Sequence, residues 1–161
     1  MSAESRMLRA ARSPSAAVKP LLVGEANPYG GDPEFALWPV PKGCAGERLC
    51  RKVMGLDEEV YLARFDRVNL CPRKWSREVA EAKAQEIQWE RAGHVIVLLG
   101  AKVTRAFGLA FDPFARVNRV VHTEISKYVI LPHPSGLSRS WNVAGAYDRA
   151  RAVLVAAGVL P

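Results

Sequence analysis

Cysteine is scarce in this sequence, and the few cysteines are poorly placed for cross-linking or metal binding. There are 3 cysteines, an odd number, and none stands in a CxxC pair. Together with the 3 histidines they form no array with the spacing of zinc ligands. We therefore expect no disulfide framework, no bound metal and no cofactor.

Long hydrophobic runs are absent as well. No stretch approaches the roughly 20 apolar residues that cross a bilayer as a helix. The first residues include arginines but no continuous apolar core of signal-peptide length. These absences, with the sparse cysteines, predict a cytoplasmic protein that has no membrane partner.

Acidic residues are outnumbered by basic ones. The chain has 16 Asp and Glu against 23 Lys and Arg, which gives a formal net charge of +7 at pH 7. Such an excess favours a polyanionic partner such as nucleic acid. The 161 residues fit one domain with a substantial core, which we assign to residues 20–161. Residues 1–19, rich in Ala, Ser and Arg, are predicted to be a flexible tail.

Short apolar runs alternate with helical patterns along the rest of the chain. The runs predict buried strands at 20–24, 63–70, 95–100 and 128–131. Helices are predicted at 46–54, 78–91, 101–107 and 143–160, while 111–122 suits a short strand or an irregular loop. This alternation predicts an α/β fold, a three-layer α/β/α arrangement around a central, mostly parallel four-stranded sheet.

Unusual polar residues follow three of the predicted strands. Asn27 stands before a proline, which biases its backbone to an extended conformation and fixes the direction of its amide. Asn69 either caps the turn before the next proline or offers its carboxamide to a ligand. His133 opens a polar loop after the last strand. Since parallel strands end at one edge, we expect these three side chains to converge there.

Apolar and aromatic side chains accompany these polar loops. Phe35 and Trp38 lie just behind the first loop, where either is suited to stacking on a flat ligand or to packing in the core. In the last loop, Leu137 stands between serines with Arg139 beside it, as an apolar wedge for a stacked duplex would. The alternative is an ordinary strand-to-helix connection that Ser138 or Ser140 caps.

Four segments together resemble the uracil-DNA glycosylase superfamily. GEANPYGG (24–31) is similar to its first motif, and PHPSGLSR (132–139) combines the HPS and PSGLSR forms of its second motif. VNLCP (68–72) resembles the base-recognising strand end of the single-strand-selective members, and FALWPV (35–40) stands where the family keeps a stacking aromatic. The PSGLSR form is that of the mismatch-specific members. The iron–sulfur members need four cysteines, so the resemblance implies no cluster.

The resemblance implies a monofunctional DNA glycosylase of base excision repair. It would flip uracil, or a related deaminated or modified base, out of the stack and hydrolyse the N-glycosidic bond, acting on DNA as a monomer. Trp38, or else Phe35, would stack on the base, and Asn69 would read its edge. His133 would donate to O2 as negative charge gathers there. Tyr29 would reject the methyl group of thymine.

The water-positioning residue stays open between two candidates. Asn27 is the first choice and Glu25 the reserve, because fast members of the family have an aspartate in this loop and the spacing differs by one residue. The family histidine is replaced by Gly30, which implies a roomier pocket. The residues implied to contact DNA are Arg73, Lys74, Ser135, Gly136, Leu137, Ser138 and Arg139. Two alternatives remain: a hydrolase of the same fold acting on a free nucleotide or nucleoside, and a catalytically weak DNA-binding module.

Overall fold

The computed structural model describes residues 18–27, 30–135 and 138–161. The predicted tail at 1–19 therefore lies almost wholly outside the described residues, as do Tyr29, Gly136 and Leu137. In the part of the chain that is described, no helix is long and apolar enough to span a membrane.

A single mixed sheet organises the chain. Its strands, in the spatial order β2-β1-β3-β5-β4, are β1 (Leu21–Ala26), β2 (Asp66–Cys71), β3 (Val95–Leu99), β4 (Arg116–Val121) and β5 (Glu124–Leu131). The pairs β1–β2, β1–β3 and β3–β5 are parallel, whereas β4 runs antiparallel to β5. The predicted α/β fold is confirmed, with five strands in place of the four expected.

The additional strand is β4, in the region for which the sequence left two possibilities open. It pairs with β5 through a two-residue turn at His122 and Thr123, whose φ angles are 51° and 68°. Positive φ at both positions is typical of the tight hairpin turn that matches strand twist. The usual Asn-Gly or Asp-Gly signal is missing here, so the hairpin was not predicted.

Helices cover both faces of the sheet. They are α1 (Ala45–Glu47), which continues as a π-helical turn (Arg48–Val53), α2 (Glu58–Arg64), α3 (Arg77–Glu90), α4 (Ala101–Ala106) and α5 (Ala146–Ala156). Short 3-10 turns lie at Pro33–Phe35 and Arg139–Asn142. Ser76 caps α3 by accepting a hydrogen bond from the Val79 N–H. The helix α2 was not predicted.

Alternate residues of the central strands point to opposite faces of the sheet and belong to two separate hydrophobic cores. On one face, Leu22, Val97 and Val129 pack with α2, α5 and the π-helical turn. On the other face, Val23 and Ile96 pack with α3 and α4. Both faces of the strands β1, β3 and β5 are thus buried, which explains why these three strands contain continuous apolar runs in the sequence. The carboxyl ends of the four parallel strands share one edge, which carries the polar loops.

Candidate functional site

The Asn69 side chain lies over the backbone of the neighbouring strand. Asn69 of β2 pairs in register with Gly24 of β1, and a Cβ added at Gly24 would overlap the Asn69 Oδ1. A glycine is therefore required for the amide to reach this place. Among the described residues, the Asn69 carboxamide forms no hydrogen bond and caps no turn. A half-buried amide in this state has its donor and acceptor capacity available for a ligand.

Leu37 lies beside the Asn69 amide. The same added Cβ at Gly24 would stand 3.0 Å from Leu37 Cδ2. Leu37 has a φ of 50°, and its carbonyl oxygen accepts a hydrogen bond of 2.9 Å from the buried Tyr61 hydroxyl. A Cβ at Gly46 would overlap the Leu37 and Trp38 carbonyl groups, so α1 packs directly on this backbone. These contacts hold Leu37 in a conformation that a leucine rarely adopts.

Glu25 and His133 approach each other next to a second glycine, Gly100. A Cβ added at Gly100, immediately after β3, would lie 3.1 Å from the His133 Cβ and 3.5 Å from the Glu25 Oε1. Glu25 belongs to β1 and His133 follows β5, so the two side chains approach each other across the end of β3. Asn69, Glu25 and His133 thus stand along four neighbouring strand ends at one edge of the sheet.

The surroundings of His133 favour one neutral form. The Ser135 N–H donates to the His133 Nδ1 at 3.2 Å, which leaves Nε2 to carry the proton. Burial lowers the pKa of His133; the nearby Glu25 carboxylate opposes this effect, and the Lys102 ammonium adds to it. The buried Trp141 indole donates to the His133 carbonyl oxygen at 2.8 Å and fixes the loop. The imidazole is therefore a neutral donor through Nε2 near pH 7.

Asn27 joins Asn69 at a surface cavity. The Asn27 N–H donates to the Pro72 carbonyl oxygen at 3.3 Å, which ties the first loop to the end of β2. Asn27 and Asn69 both line a cavity of about 490 Å³ between this loop and α3. Among the described residues that line this cavity, His133 and Glu25 are not present. Asn27 and Asn69 therefore border one cavity, whereas Glu25 and His133 approach each other at Gly100.

The two aromatic candidates lie together beside Arg67. The Phe35 and Trp38 ring centroids are 5.0 Å apart, and the Arg67 guanidinium lies 5.2 Å from the centroid of Trp38. Arg67 also donates to the Ala36 carbonyl oxygen at 2.8 Å. One face of Trp38 is thus engaged by a cation, and the stacking role of either aromatic stays a prediction. Sequence reasoning missed Leu37, which stands between them in the sequence and whose side chain, like the Asn69 amide, lies over Gly24.

Positive charge surrounds this edge of the sheet. Arg73, Lys74 and Arg139 are exposed there, as the proposed phosphate contacts require. Lys102, which sequence reasoning missed, is also exposed and lies 5.7 Å from the centroid of the Trp75 ring. Its position at the start of α4, two residues after Gly100, was the available signal.

The last loop ends in a short turn rather than a capped α-helix. Ser138 precedes the 3-10 turn Arg139–Asn142 but makes no side-chain capping bond, and α5 begins later, at Ala146. Ser135 is partly buried next to His133, whereas Gly136 and Leu137 lie outside the described residues. The predicted wedge therefore stays a prediction.

The described residues offer no metal centre: they contain no group of three or more His, Cys, Asp or Glu side chains placed to hold an ion.

A scan against protein-family models finds no match to this chain, and a search of curated proteins finds no similar sequence.

Proposed function

We propose that this chain is a DNA glycosylase that flips out uracil, or a related deaminated or modified base, and hydrolyses its N-glycosidic bond. The observation that carries the proposal is the row of polar groups across four neighbouring strand ends. It runs from the amide of Asn69, which forms no hydrogen bond with the described residues, through Glu25, to the neutral His133. Beneath this row lie Gly24 and Gly100, which have no side chains that would occupy the space. Glu25, Asn69 and His133 each belong to one of the glycosylase-like segments of the sequence.

Asn69 is suited to reading the edge of a pyrimidine. A carboxamide presents one acceptor and two donors in a plane, which matches the N3–H donor and O4 acceptor of uracil. Cytosine presents an acceptor at N3 and a donor at N4. The same fixed amide would therefore set its oxygen against an acceptor and its NH₂ group against a donor. A site that hydrogen-bonds one edge rejects the wrong edge strongly, because buried polar groups are then left unpaired.

His133 supplies stabilisation where charge develops. When the bond between the sugar C1′ and the base N1 breaks, its electron pair leaves with the base, and part of the negative charge gathers on O2. A neutral imidazole with its proton on Nε2 donates a hydrogen bond there. One such preorganised donor is typically worth about 10²–10³-fold in rate.

Water completes the reaction at the sugar. The water oxygen bonds to C1′, and its proton passes to a nearby acceptor or to solvent. Glu25 can accept a proton as a carboxylate, whereas the Asn27 amide can only orient the water. The Glu25 Oε1 stands close to His133, and Asn27 follows two residues later, immediately after β1.

DNA is the partner that the charge supports. Arg73, Lys74, Lys102 and Arg139 are exposed around the same edge, so phosphates of a bound strand would find cations on several sides. Flipping a base costs a few kcal/mol, least at a mispair or in a single strand. Part of the substrate preference would therefore come from the DNA.

The test is a base-release screen. Oligonucleotides that carry uracil, hypoxanthine, xanthine or 5-hydroxymethyluracil, single-stranded and in every mispair, are incubated with the protein and then treated with alkali. We expect strand scission at uracil or a related base. His133→Ala should slow release by about 10²–10³-fold, and Asn69→Ala should reduce discrimination between bases.

Matched controls separate site effects from folding effects. Asn118→Ala on the exposed side of β4 and His94→Ala before β3 remove the same chemical groups far from the site. Binding of uracil-containing DNA without base release would instead indicate a DNA-binding module. Turnover of free nucleotides alone would indicate a small-molecule hydrolase.

A further inference from the structure

A buried indole closes the loop that carries His133. The Trp141 Nε1–H donates to the His133 carbonyl oxygen at 2.8 Å, and Trp141 is only 6% exposed. This hydrogen bond joins the two ends of the segment 133–141, which also contains Ser135, the donor to the His133 Nδ1. A displaced indole would therefore shift the His133 backbone and, with it, the imidazole.

Two other rings set the orientation of the Trp141 indole. The Tyr147 ring stacks on the indole, with an interplanar angle of 13° and a centroid separation of 5.2 Å. The Phe114 ring stands nearly perpendicular to the indole, at 83° and 6.1 Å. Stacked and edge-to-face pairs are the favoured arrangements of aromatic rings. The two contacts together therefore restrict rotation of the indole away from its acceptor.

Both of these rings belong to well-anchored parts of the fold. The Phe114 N–H donates to the Ile130 carbonyl oxygen at 2.7 Å, which ties Phe114 to β5 just before the His133 loop. Tyr147 lies in the first turn of α5, and its side chain is partly buried against the core. The Arg149 guanidinium, on the same helix, lies 4.6 Å from the centroid of the Phe114 ring. The helix α5 thus contacts both rings that hold the indole.

We propose that Tyr147 is a positioning residue of the candidate site: its ring holds the Trp141 indole in the orientation that bonds the His133 loop, and so keeps the imidazole aligned for base release. The Tyr147 hydroxyl forms no hydrogen bond with the described residues, so this role belongs to the flat ring. A side chain that only filled space could be exchanged for another apolar group of similar size. This inference rests on the proposed function of the same site.

Nuclear magnetic resonance of the free, full-length protein tests this role without turnover. Tyr147→Leu keeps an apolar side chain and removes the flat ring. In this variant we expect the Trp141 Nε1–H to exchange with solvent at least about 10-fold faster than in the wild type. The nitrogen chemical shifts of the His133 imidazole should change from a single Nε2–H form to a mixture of both neutral tautomers. Tyr147→Phe, which keeps the ring, should retain both wild-type signals.

Kinetics of the same variants separate positioning from DNA binding. On the oligonucleotide that the base-release screen identifies, Tyr147→Leu should lower kcat by about 10-fold and change KM by less than about 2-fold, because a misplaced imidazole affects the chemical step. Trp89→Leu is the matched control. It removes an aromatic ring that contacts a different histidine, His122, at the amino end of β5, whereas His133 follows the carboxyl end. It should leave the exchange rate, the tautomer and kcat unchanged.

The inference is overturned if Tyr147→Leu retains the wild-type exchange rate and the single tautomer, or if Tyr147→Phe loses them as fully as Tyr147→Leu does. Failure of the proposed function is distinguishable from this. If the resonance signals respond as expected but no base is released from any DNA, the proposed function falls and the positioning of His133 by Tyr147 stands. If base is released and these signals do not respond, only the role of Tyr147 falls.

Discussion

A methyl group added at Gly24 is the sharpest perturbation of the candidate site. In Gly24→Ala the new Cβ would overlap the Asn69 Oδ1 and press on Leu37 at 3.0 Å. The backbone of β1 cannot retreat easily, because it is hydrogen-bonded to strands on both sides. The amide and the leucine must therefore move, and the amide is the group proposed to read the base.

The size of the effect follows from this overlap. Extra carbon atoms forced into a well-packed interior typically destabilise a fold by about 1–3 kcal/mol. The effect on the rate of base release should be larger than the effect on stability, since a displacement of about 1 Å at a positioning group can slow a reaction by about 10²-fold. We therefore expect a folded protein with a modest loss of stability and a severe loss of base release.

Two measurements on the same samples check this prediction. Denaturant unfolding followed by circular dichroism gives the free energy of unfolding, and single-turnover assays on a uracil oligonucleotide give the rate. Gly31→Ala is the matched control for stability, because a Cβ there meets the Arg73 Nε at 3.6 Å and the Pro72 Cβ at 3.9 Å, both ordinary van der Waals contacts. If Gly24→Ala kept both wild-type stability and wild-type rate, the assignment of the Asn69 amide to this position would be refuted.

Three further predictions concern the supports of the site. Tyr61→Phe leaves the Leu37 carbonyl oxygen buried without its donor, so unfolding should become easier by about 1–3 kcal/mol in a denaturant titration. Because burial lowers the pKa of His133 below its ordinary value of 6.5, the imidazole should be neutral at pH 7, and NMR should show it titrating below 6.5. Because the unfolded chain binds this proton more readily, stability should decline as the pH falls from 6.5 toward the lowered pKa of His133. Protonation of Nδ1 breaks the Ser135 bond, so the rate should fall as well, and His133→Gln should remove this pH dependence of stability. Trp141→Phe removes the indole donor to the His133 carbonyl oxygen and should lower kcat more than it raises KM, because it misplaces the imidazole.

The layers of the fold follow from apolar runs of the sequence. β1, β3 and β5 are buried on both faces, so each carries a continuous apolar stretch that marks it as a central parallel strand. The hairpin was missed because His122 and Thr123 adopt positive φ without the usual glycine. The helix α2 was missed because it is only 7 residues long, too short for a periodic pattern to be recognised.

The candidate site was predictable in outline only. Asn27, Asn69 and His133 lie near or just after the ends of strands that share an edge, which pattern reasoning can establish. Which side chain touches which depends on packing between distant segments: Gly46 against the backbone of Leu37, and Gly100 beneath the His133 ring. No local pattern encodes such close approaches.

The central claim is that Asn69 and His133 act on one base, and a double-mutant cycle tests it most directly. Single-turnover release of uracil from a single-stranded oligonucleotide is measured for the wild type, Asn69→Ala, His133→Ala and the double variant. Groups that hold the same base act as a unit, so we predict that the double variant is at most about 10-fold slower than the slower single variant. Rate losses that multiply in full, or a wild type that releases no uracil, would contradict the account.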